Sequence, residues 1–197
     1  MHHIEETIKN FPYQLILGSN SPRRQELLKS LGFTFFIKPI NVDESYPADL
    51  VGSEIPVYLA EKKADEFPEE LKETDILITA DTIVWVEGKV LNKPAKYEEA
   101  VKMLETLSGK MHEVFTGVCL KSGTKHTTFF DSTKVYFKKL KKEEIEYYVH
   151  NFNVYDKAGG YGVQDWIGYI GIDKIEGSFY NVMGLPVKEL YEELVKF

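Results

Sequence analysis

Strand-like and helix-like segments alternate through the first half of this 197-residue chain, and that alternation constrains the fold more than any other feature. Apolar runs predict the strands, and apolar residues at helical spacing between capping signals predict the helices. The predicted order is strand 14–19, helix 22–31, strand 33–40, helix 54–67, strand 76–80, a hairpin of strands 82–86 and 89–92, and helix 97–107. Such alternation is typical of α/β proteins.

The second half predicts that the sheet is mixed. Two long β-prone runs, 111–121 and 125–138, flank Ser122-Gly123-Thr124, which indicates an antiparallel hairpin. Helix 142–150, an irregular strand region 163–176 and a closing helix 186–196 complete the predicted elements. Gly159-Gly160-Tyr161-Gly162 interrupts the pattern, either as a tight turn or where backbone approaches a ligand, and spacing alone favours the turn.

Composition restricts the partners and the location. Thirty-one acidic and 24 basic side chains give a net charge of −7, which repels nucleic acids and anionic membrane surfaces. No apolar run reaches the roughly 20 residues of a membrane span, and residues 1–12 lack a secretion signal, so we expect a cytoplasmic protein. His2 and His3 are expected to be solvent-exposed. The single cysteine, Cys119, excludes an internal disulfide and is expected to be a buried, inert thiol.

The segment from Ser19 to Arg24 is a candidate anion site. A strand that ends in small polar residues and leads into a helix presents unpaired N–H groups and the positive end of a helix dipole. Arg23 and Arg24 add two guanidinium groups whose shape suits phosphate oxygens. Ordinary helix capping with two solvated arginines is the alternative interpretation.

Four further charged residues complete the parts that phosphoryl chemistry needs. Glu44 lies in a loop, Lys63 lies near the buried face of helix 54–67, Asp81 follows an apolar strand, and Lys93 follows the predicted hairpin. Taken singly, each is also explained by solvation or by a lysine that reaches the surface. Phosphate-loop, dinucleotide, nucleophile-elbow and zinc-helix motifs are absent from the sequence. A mononucleotide hydrolase that uses a divalent ion fits best.

Together these residues closely resemble the Maf family of nucleoside triphosphate pyrophosphatases, cytoplasmic enzymes once described as septum formation inhibitors. The resemblance rests on the ordered motifs Ser19-Asn20-Ser21-Pro22-Arg23-Arg24, Val42-Asp43-Glu44, Leu59-Ala60-Glu61-Lys62-Lys63-Ala64, Ala80-Asp81-Thr82, Lys93-Pro94, Leu107-Ser108-Gly109, the run from Asp156 to Gln164, and Gly177-Ser178 followed by the run from Val182 to Pro186. It implies one Maf-like domain over 1–197, with an ITPase-like (Maf/Ham1) α/β fold. In that fold, two lobes on an elongated mixed sheet flanked by helices surround a central nucleotide cleft.

The same resemblance implies the reaction and the roles of the charged residues. The family hydrolyses the bond between the α and β phosphorus atoms, which gives a nucleoside monophosphate and pyrophosphate. Asp81 would activate the attacking water and, with Glu44, hold Mg²⁺ or Mn²⁺. The triphosphate would contact Ser19, Arg23, Arg24, Lys63 and Lys93. A homodimer is implied as well.

Residues at three positions indicate which nucleobase the substrate carries. The chain has Arg23, Thr82 and Gln164 where pyrimidine-specific members have Arg, Thr and Gln, and it therefore resembles a dTTP/UTP pyrophosphatase. Asp165-Trp166 stands where relatives often have glycine, so the ranking of UTP, dTTP and modified uridines stays open. Two alternatives remain: a division-control regulator with weak hydrolysis, and a purine enzyme of the inosine triphosphatase type, which the three base-selecting residues disfavour.

Overall fold

The structure is a computed structural model that describes Ile8 and residues 10–197. The expectation for His2 and His3 lies outside these residues. The strands are β1 (Gln14–Leu17), β2 (Phe35–Ile37), β3 (Asp75–Val86), β4 (Lys89–Leu91), β5 (Met111–Lys121), β6 (His126–Phe137) and β7 (Ile172–Glu176). The helices are α1 (Pro22–Ser30), α2 (Glu54–Asp65), α3 (Tyr97–Leu107), α4 (Lys142–Asn151), a 3-10 helix (Ala158–Gly160), α5 (Trp166–Gly171), α6 (Phe179–Met183) and α7 (Val187–Lys196).

The strands form one mixed sheet, as predicted. Its order is β2-β1-β3-β5-β6-β7, with β4 paired to β3 off this path. β1 runs parallel to both β2 and β3, whereas β4 is antiparallel to β3 and β7 is antiparallel to β6. Parallel strands joined through helices at one edge and antiparallel pairs elsewhere confirm the predicted mixed α/β class.

The chain divides into two compact units. Unit 1 comprises the residues up to Asp81 together with 117–130 and 184–197, and unit 2 comprises 82–116 and 131–183. The core of unit 1 includes Ile16, Ala60, Ala64, Leu77 and Cys119. Cys119 is buried, as predicted, and burial raises the pKa of its thiol to about 12.

Unit 2 has its own core, to which α3 contributes one face. Ala100, Leu104 and Leu107 of this helix are fully buried and pack with the buried ring of Tyr148. The predicted bounds 97–107 are those observed, because the apolar spacing of the helix matches its buried face. In the described part of the chain, no helix is long and apolar enough to cross a membrane.

Two predicted stretches were wrong. Strands 76–80 and 82–86 are one continuous strand, β3, so Asp81 lies inside a strand and not at its end. The strand continues because the Asp81 carboxylate is buried beside a lysine ammonium, so its charge does not interrupt the pairing. The region 163–176 was predicted as irregular strand, but α5 occupies its middle and only Ile172–Glu176 is extended.

The glycine cluster is a tight turn, as its spacing predicted. Gly159 and Gly160 have φ angles of +69° and +71°, a conformation that other residues rarely adopt. The Gly159 N–H donates to the Asn92 carbonyl at 3.1 Å, which fastens the turn to the residue after β4. A Cβ atom at Gly159 would lie 3.0 Å from a methyl group of Val84. The backbone conformation therefore favours glycine at both positions, and the limited space favours it at Gly159 as well.

Candidate active site

The centre of the candidate site is the ammonium of Lys63, which contacts two carboxylates. Its Nζ lies 2.6 Å from Asp81 Oδ1 and 3.0 Å from Glu44 Oε1. Lys63 and Asp81 are only 8% and 7% exposed, whereas the Glu44 side chain is about half exposed. Apolar residues often stabilise a core as well as a buried ion pair does, so this pair is a candidate for a functional role. The structure thus brings together the predicted Glu44, Lys63 and Asp81.

Local structure explains why these three side chains meet. Thr79 and Asp81, two residues apart, lie on one face of β3, and both bond to α2. The Thr79 hydroxyl donates to the Ala60 carbonyl at 2.7 Å, one helical turn before Lys63. Lys62 donates to the Ser45 carbonyl at 3.2 Å, so consecutive lysines of α2 fasten the loop that carries Glu44.

Arg24 is fixed by two backbone carbonyls of unit 1. Its Nε donates to the Gly184 carbonyl and its Nη1 donates to the Ala80 carbonyl, both at 2.8 Å. Burial lowers the pKa of the Arg24 guanidinium, while the charges of Asp81 and Glu44 act in the opposite direction. Arg24 therefore has a second role beside the predicted phosphate contact, because it fastens α1 to the residue that precedes Asp81.

The start of α1 has no side-chain cap. Ser21 is the N-cap residue and makes no side-chain capping bond, and Pro22 occupies the first turn. Ser19 Oγ accepts the Ser21 N–H at 3.2 Å, which turns the chain before the helix. Arg23 lies in the first turn of α1 and is half-buried.

Unit 2 carries the other three predicted site residues: Thr82, Lys93 and Gln164. Thr82 follows Asp81 in β3, and its hydroxyl lies 3.0 Å from that of Thr116 in β5. Lys93 is exposed in the segment after β4. Gln164 follows the glycine turn, and its Oε1 is buried without a hydrogen-bond partner among the described residues. That oxygen can accept a hydrogen bond from a ligand.

Asp165, the departure from the family pattern, belongs to a buried polar cluster directly after Gln164. Its Oδ2 accepts from the Tyr148 hydroxyl at 2.7 Å and lies 3.6 Å from Lys157 Nζ. The Tyr148 oxygen in turn accepts the Gly162 N–H at 3.0 Å. Burial, together with the bond to Asp165, raises the pKa of the Tyr148 phenol. Asp165 follows Gln164 directly, and through Tyr148 it is linked to the backbone of Gly162, which precedes Gln164. These contacts hold the chain on both sides of Gln164.

The donor set of Glu44 and Asp81 fits a hard divalent cation. Both carboxylates already reach a single cation, the Lys63 ammonium, within 3.0 Å. Carboxylate oxygens are the ligands that Mg²⁺ prefers, with water and phosphate oxygens completing its octahedron. Across residue 8 and residues 10–197, no group of three or more His, Cys, Asp or Glu side chains could hold a metal. A cation here would therefore depend on the two carboxylates and on oxygens from outside the protein.

Two polar residues that support Thr82 were not predicted from the sequence. Thr116 and Asn181 are completely buried, and the Thr116 hydroxyl donates to the Asn181 carbonyl at 3.1 Å. A weak signal existed for Thr116, because it is a polar residue within the apolar run from Val114 to Leu120. For Asn181, the only signal is its position before the Val182 to Pro186 motif.

The chain belongs to the Maf family. A model of this family, described as Maf-like protein, matches residues 14–197. The dTTP/UTP pyrophosphatase of Bacteroides thetaiotaomicron is 55% identical over 185 residues, which are 93% of this chain and 96% of that protein. Proteins of the same name from Parabacteroides distasonis and Flavobacterium johnsoniae are 50% and 48% identical, and they cover 94% and 97% of this chain and 96% and 97% of their own lengths. The predicted family is confirmed.

Among solved structures, the Staphylococcus aureus Ham1 protein matches with a TM-score of 0.44 and 12% sequence identity. The match covers 63% of this chain and 71% of that one.

Proposed function

We propose that this protein hydrolyses dTTP and UTP to the nucleoside monophosphate and pyrophosphate. The names of its relatives confirm the prediction of a nucleoside triphosphate pyrophosphatase, a hydrolase of acid anhydrides. The observation that carries the proposal is the buried ammonium of Lys63 between Asp81 and Glu44. Such a cluster supplies a proton acceptor for water and positive charge for phosphate oxygens in one place.

Asp81 is the proposed general base. A water molecule attacks the α phosphorus, and its proton passes to the Asp81 carboxylate. The bond between the α phosphorus and the oxygen that bridges it to the β phosphorus breaks, and pyrophosphate leaves with that electron pair. Because Asp81 is buried and anchored in the interior of β3, its carboxylate is held in place for this transfer.

Glu44 and Asp81 are the proposed ligands of Mg²⁺ or Mn²⁺. The cation, when bound, neutralises phosphate charge and favours deprotonation of a water molecule. Lys63 pairs with Asp81, and Arg24 donates to the carbonyl of Ala80, the residue before Asp81. Both side chains are proposed to contact the triphosphate. Ser19, Arg23 and Lys93 complete the proposed set of phosphate contacts.

Arg23, Thr82 and Gln164 are the proposed base-selecting residues. The buried Gln164 Oε1 and the Thr82 hydroxyl are polar groups of the kind that recognise the edge of uracil or thymine. We also propose a cleft between two lobes, a homodimer and a cytoplasmic location. These three proposals rest on the same family resemblance.

A pyrophosphate-release assay with Mg²⁺ or Mn²⁺ tests the function. We expect release from UTP and dTTP to exceed release from ITP, and Asp81→Asn to lower kcat by about 10²- to 10⁴-fold without unfolding the protein. Asp65→Asn, which removes an exposed carboxylate of the same unit, is the matched control. Release from no nucleotide would leave the regulator hypothesis ahead, and a preference for ITP would favour the purine enzyme. Equal turnover by Asp81→Asn and wild type would exclude Asp81 from the mechanism.

A further inference from the structure

The loop that carries Glu44 belongs to no helix or strand. Residues 38–47, between β2 and α2, form neither, and Asp43, Glu44 and Ser45 are all exposed. A side chain on such a loop is held less precisely than one on a helix or strand, unless neighbouring contacts fix the loop. The position of the Glu44 carboxylate therefore depends on what binds the chain on either side of it.

Lys62 binds this loop on both sides of Glu44. Its Nζ donates to the Ser45 carbonyl at 3.2 Å and lies 3.9 Å from Asp43 Oδ2. The Ser45 hydroxyl donates to the same Asp43 oxygen, which links the residues before and after Glu44 to each other. One ammonium thus contacts the preceding and the following residue, while the adjacent Lys63 contacts Glu44 itself at 3.0 Å.

The helix that presents Lys62 is itself anchored. Ala60 of α2 is completely buried, and its carbonyl accepts the Thr79 hydroxyl of β3 at 2.7 Å. Consecutive residues of an α-helix point about 100° apart, so Lys63 reaches the buried Asp81 while Lys62 reaches the loop. The Lys62 side chain is only 21% exposed, which restricts its rotamers. It can therefore fix the distance between α2 and the loop.

We propose that Lys62 is a positioning residue that holds Glu44 in place for the divalent cation, an inference that rests on the metal site of the proposed function. Lys62 acts through the backbone on both sides of Glu44 and leaves the contacts of the Glu44 side chain unchanged. Contacts of this outer kind raise metal affinity, because a ligand that is already held in place loses less conformational freedom on binding.

The two adjacent lysines then have opposite effects on the cation. Lys63 competes with it, because the ammonium lies where the carboxylates of Asp81 and Glu44 both reach. Lys62 is also a positive charge near the site, so by charge alone its removal would strengthen metal binding. If Lys62 positions Glu44, its removal weakens metal binding instead. The sign of the change therefore distinguishes positioning from simple electrostatics.

Titration of the free protein with Mn²⁺, followed by electron paramagnetic resonance of the unbound ion, measures this sign. Lys62→Met should bind Mn²⁺ about tenfold more weakly than wild type. Lys62→Arg keeps a donor for the Ser45 carbonyl and should stay within about threefold of wild type. Lys121→Met removes a lysine of the same unit that pairs with the exposed Asp65, and it should leave the affinity unchanged. Equal or tighter binding by a folded Lys62→Met protein overturns the proposal.

A double-mutant cycle tests whether the effect passes through Glu44. In the Glu44→Gln background, Lys62→Met should change the Mn²⁺ affinity by less than about twofold, because the ligand that Lys62 positions is gone. The full loss in that background would assign it to a general change in α2 and contradict the positioning role. If Lys62→Met does not fold, Lys62→Gln replaces it, since its amide ends one bond short of the ammonium. Its Mn²⁺ binding should also weaken, and unchanged affinity would refute the inference.

Pyrophosphate release is measured separately, so that the function and the role of Lys62 can fail independently. In Lys62→Met, half-maximal release should require about tenfold more Mn²⁺, with kcat at saturating Mn²⁺ within about threefold of wild type. A wild type that binds Mn²⁺ but releases no pyrophosphate would exclude the proposed function, and the titrations would still decide the role of Lys62. A wild type that releases pyrophosphate but binds no Mn²⁺ would exclude the metal role of Glu44, and with it that of Lys62.

Discussion

Lys63 occupies the position at which the carboxylates of Asp81 and Glu44 both reach one positive charge. A divalent cation held by the same two carboxylates must compete with that ammonium. Removing the ammonium leaves two acidic groups with less compensation, so their attraction for a cation grows. The same change removes a group proposed to contact phosphate. Metal affinity and turnover should therefore move in opposite directions when Lys63 is replaced.

Lys63→Met should bind Mn²⁺ about tenfold more tightly than wild type in the absence of nucleotide, while its turnover falls. Electron paramagnetic resonance of free Mn²⁺ during titration measures the affinity without reference to activity. Lys121→Met is the matched control, because it removes a lysine of the same unit that pairs with the exposed Asp65. Unchanged or weaker Mn²⁺ binding by Lys63→Met would show that the lysine and the metal do not share a position.

His112 links stability to pH. The side chain is 1% exposed, its Nε2 lies 2.6 Å from the Tyr161 hydroxyl, and burial lowers the pKa of the imidazole to about 4 from 6.5. Between these values the unfolded chain binds a proton that the folded chain does not. The free energy of unfolding therefore falls as the pH decreases from 6.5 to about 4, by about 3 kcal/mol in total for this one group.

Urea unfolding at several pH values checks this expectation. His112→Gln should flatten the dependence between pH 4 and 6.5, even if it lowers stability at pH 7. His126→Gln replaces a histidine whose side chain is 63% exposed and should leave the slope as in wild type. An equally steep decline in His112→Gln would assign the pH dependence to other groups.

At the scale of elements, the contact between α2 and β5 holds the candidate site in place. A Cβ atom built at Gly117 would lie 2.4 Å from the Pro56 carbonyl and the Val57 nitrogen in the first turns of α2. Gly117→Ala must therefore push the helix away from the strand. Overpacking of this kind costs about 2 kcal/mol. Because α2 carries Lys63, we expect turnover to fall as well as stability.

Thermal unfolding and pyrophosphate release together measure both effects of Gly117→Ala. Gly88→Ala is the control, since nothing lies within 4 Å of its Cβ position and its strain from a φ of +77° stays within the β3-β4 hairpin. That variant should lose some stability and keep its turnover. A Gly117→Ala protein with wild-type turnover would mean that α2 can move without displacing Lys63.

Local patterns predicted those elements whose burial follows from their own residues. Helix α3 has its apolar residues at helical spacing, and its observed bounds are those predicted. The prediction wrongly ended a strand before Asp81. The strand continues because Lys63, which lies 18 residues earlier in the chain, compensates the charge of Asp81. Leu59 and Ala60 predicted that Lys63 lies near the buried face of α2, but not that its ammonium is buried. The support for Thr82 could not be predicted, since Thr116 lies 34 residues away from it.

At the scale of the whole molecule, all nine predicted site residues belong to a single chain. Ser19, Arg23, Arg24, Glu44, Lys63 and Asp81 lie in unit 1, and Thr82, Lys93 and Gln164 lie in unit 2. The family resemblance implies a homodimer, and a closed two-fold dimer is the commonest assembly of soluble proteins. We therefore expect that the chemistry does not require association.

We expect the mass and the specific activity of the protein to be uncoupled on dilution. Light scattering should give about twice the chain mass of 22.7 kDa at micromolar concentration. Pyrophosphate release per chain should stay constant as the protein is diluted to nanomolar concentration, even where the dimer dissociates, because dissociation removes none of the nine residues. The thermal midpoint should nevertheless fall on dilution, since association stabilises the folded chain by mass action. A loss of specific activity that parallels dissociation would contradict the prediction, because it would require the second copy to contribute to the site.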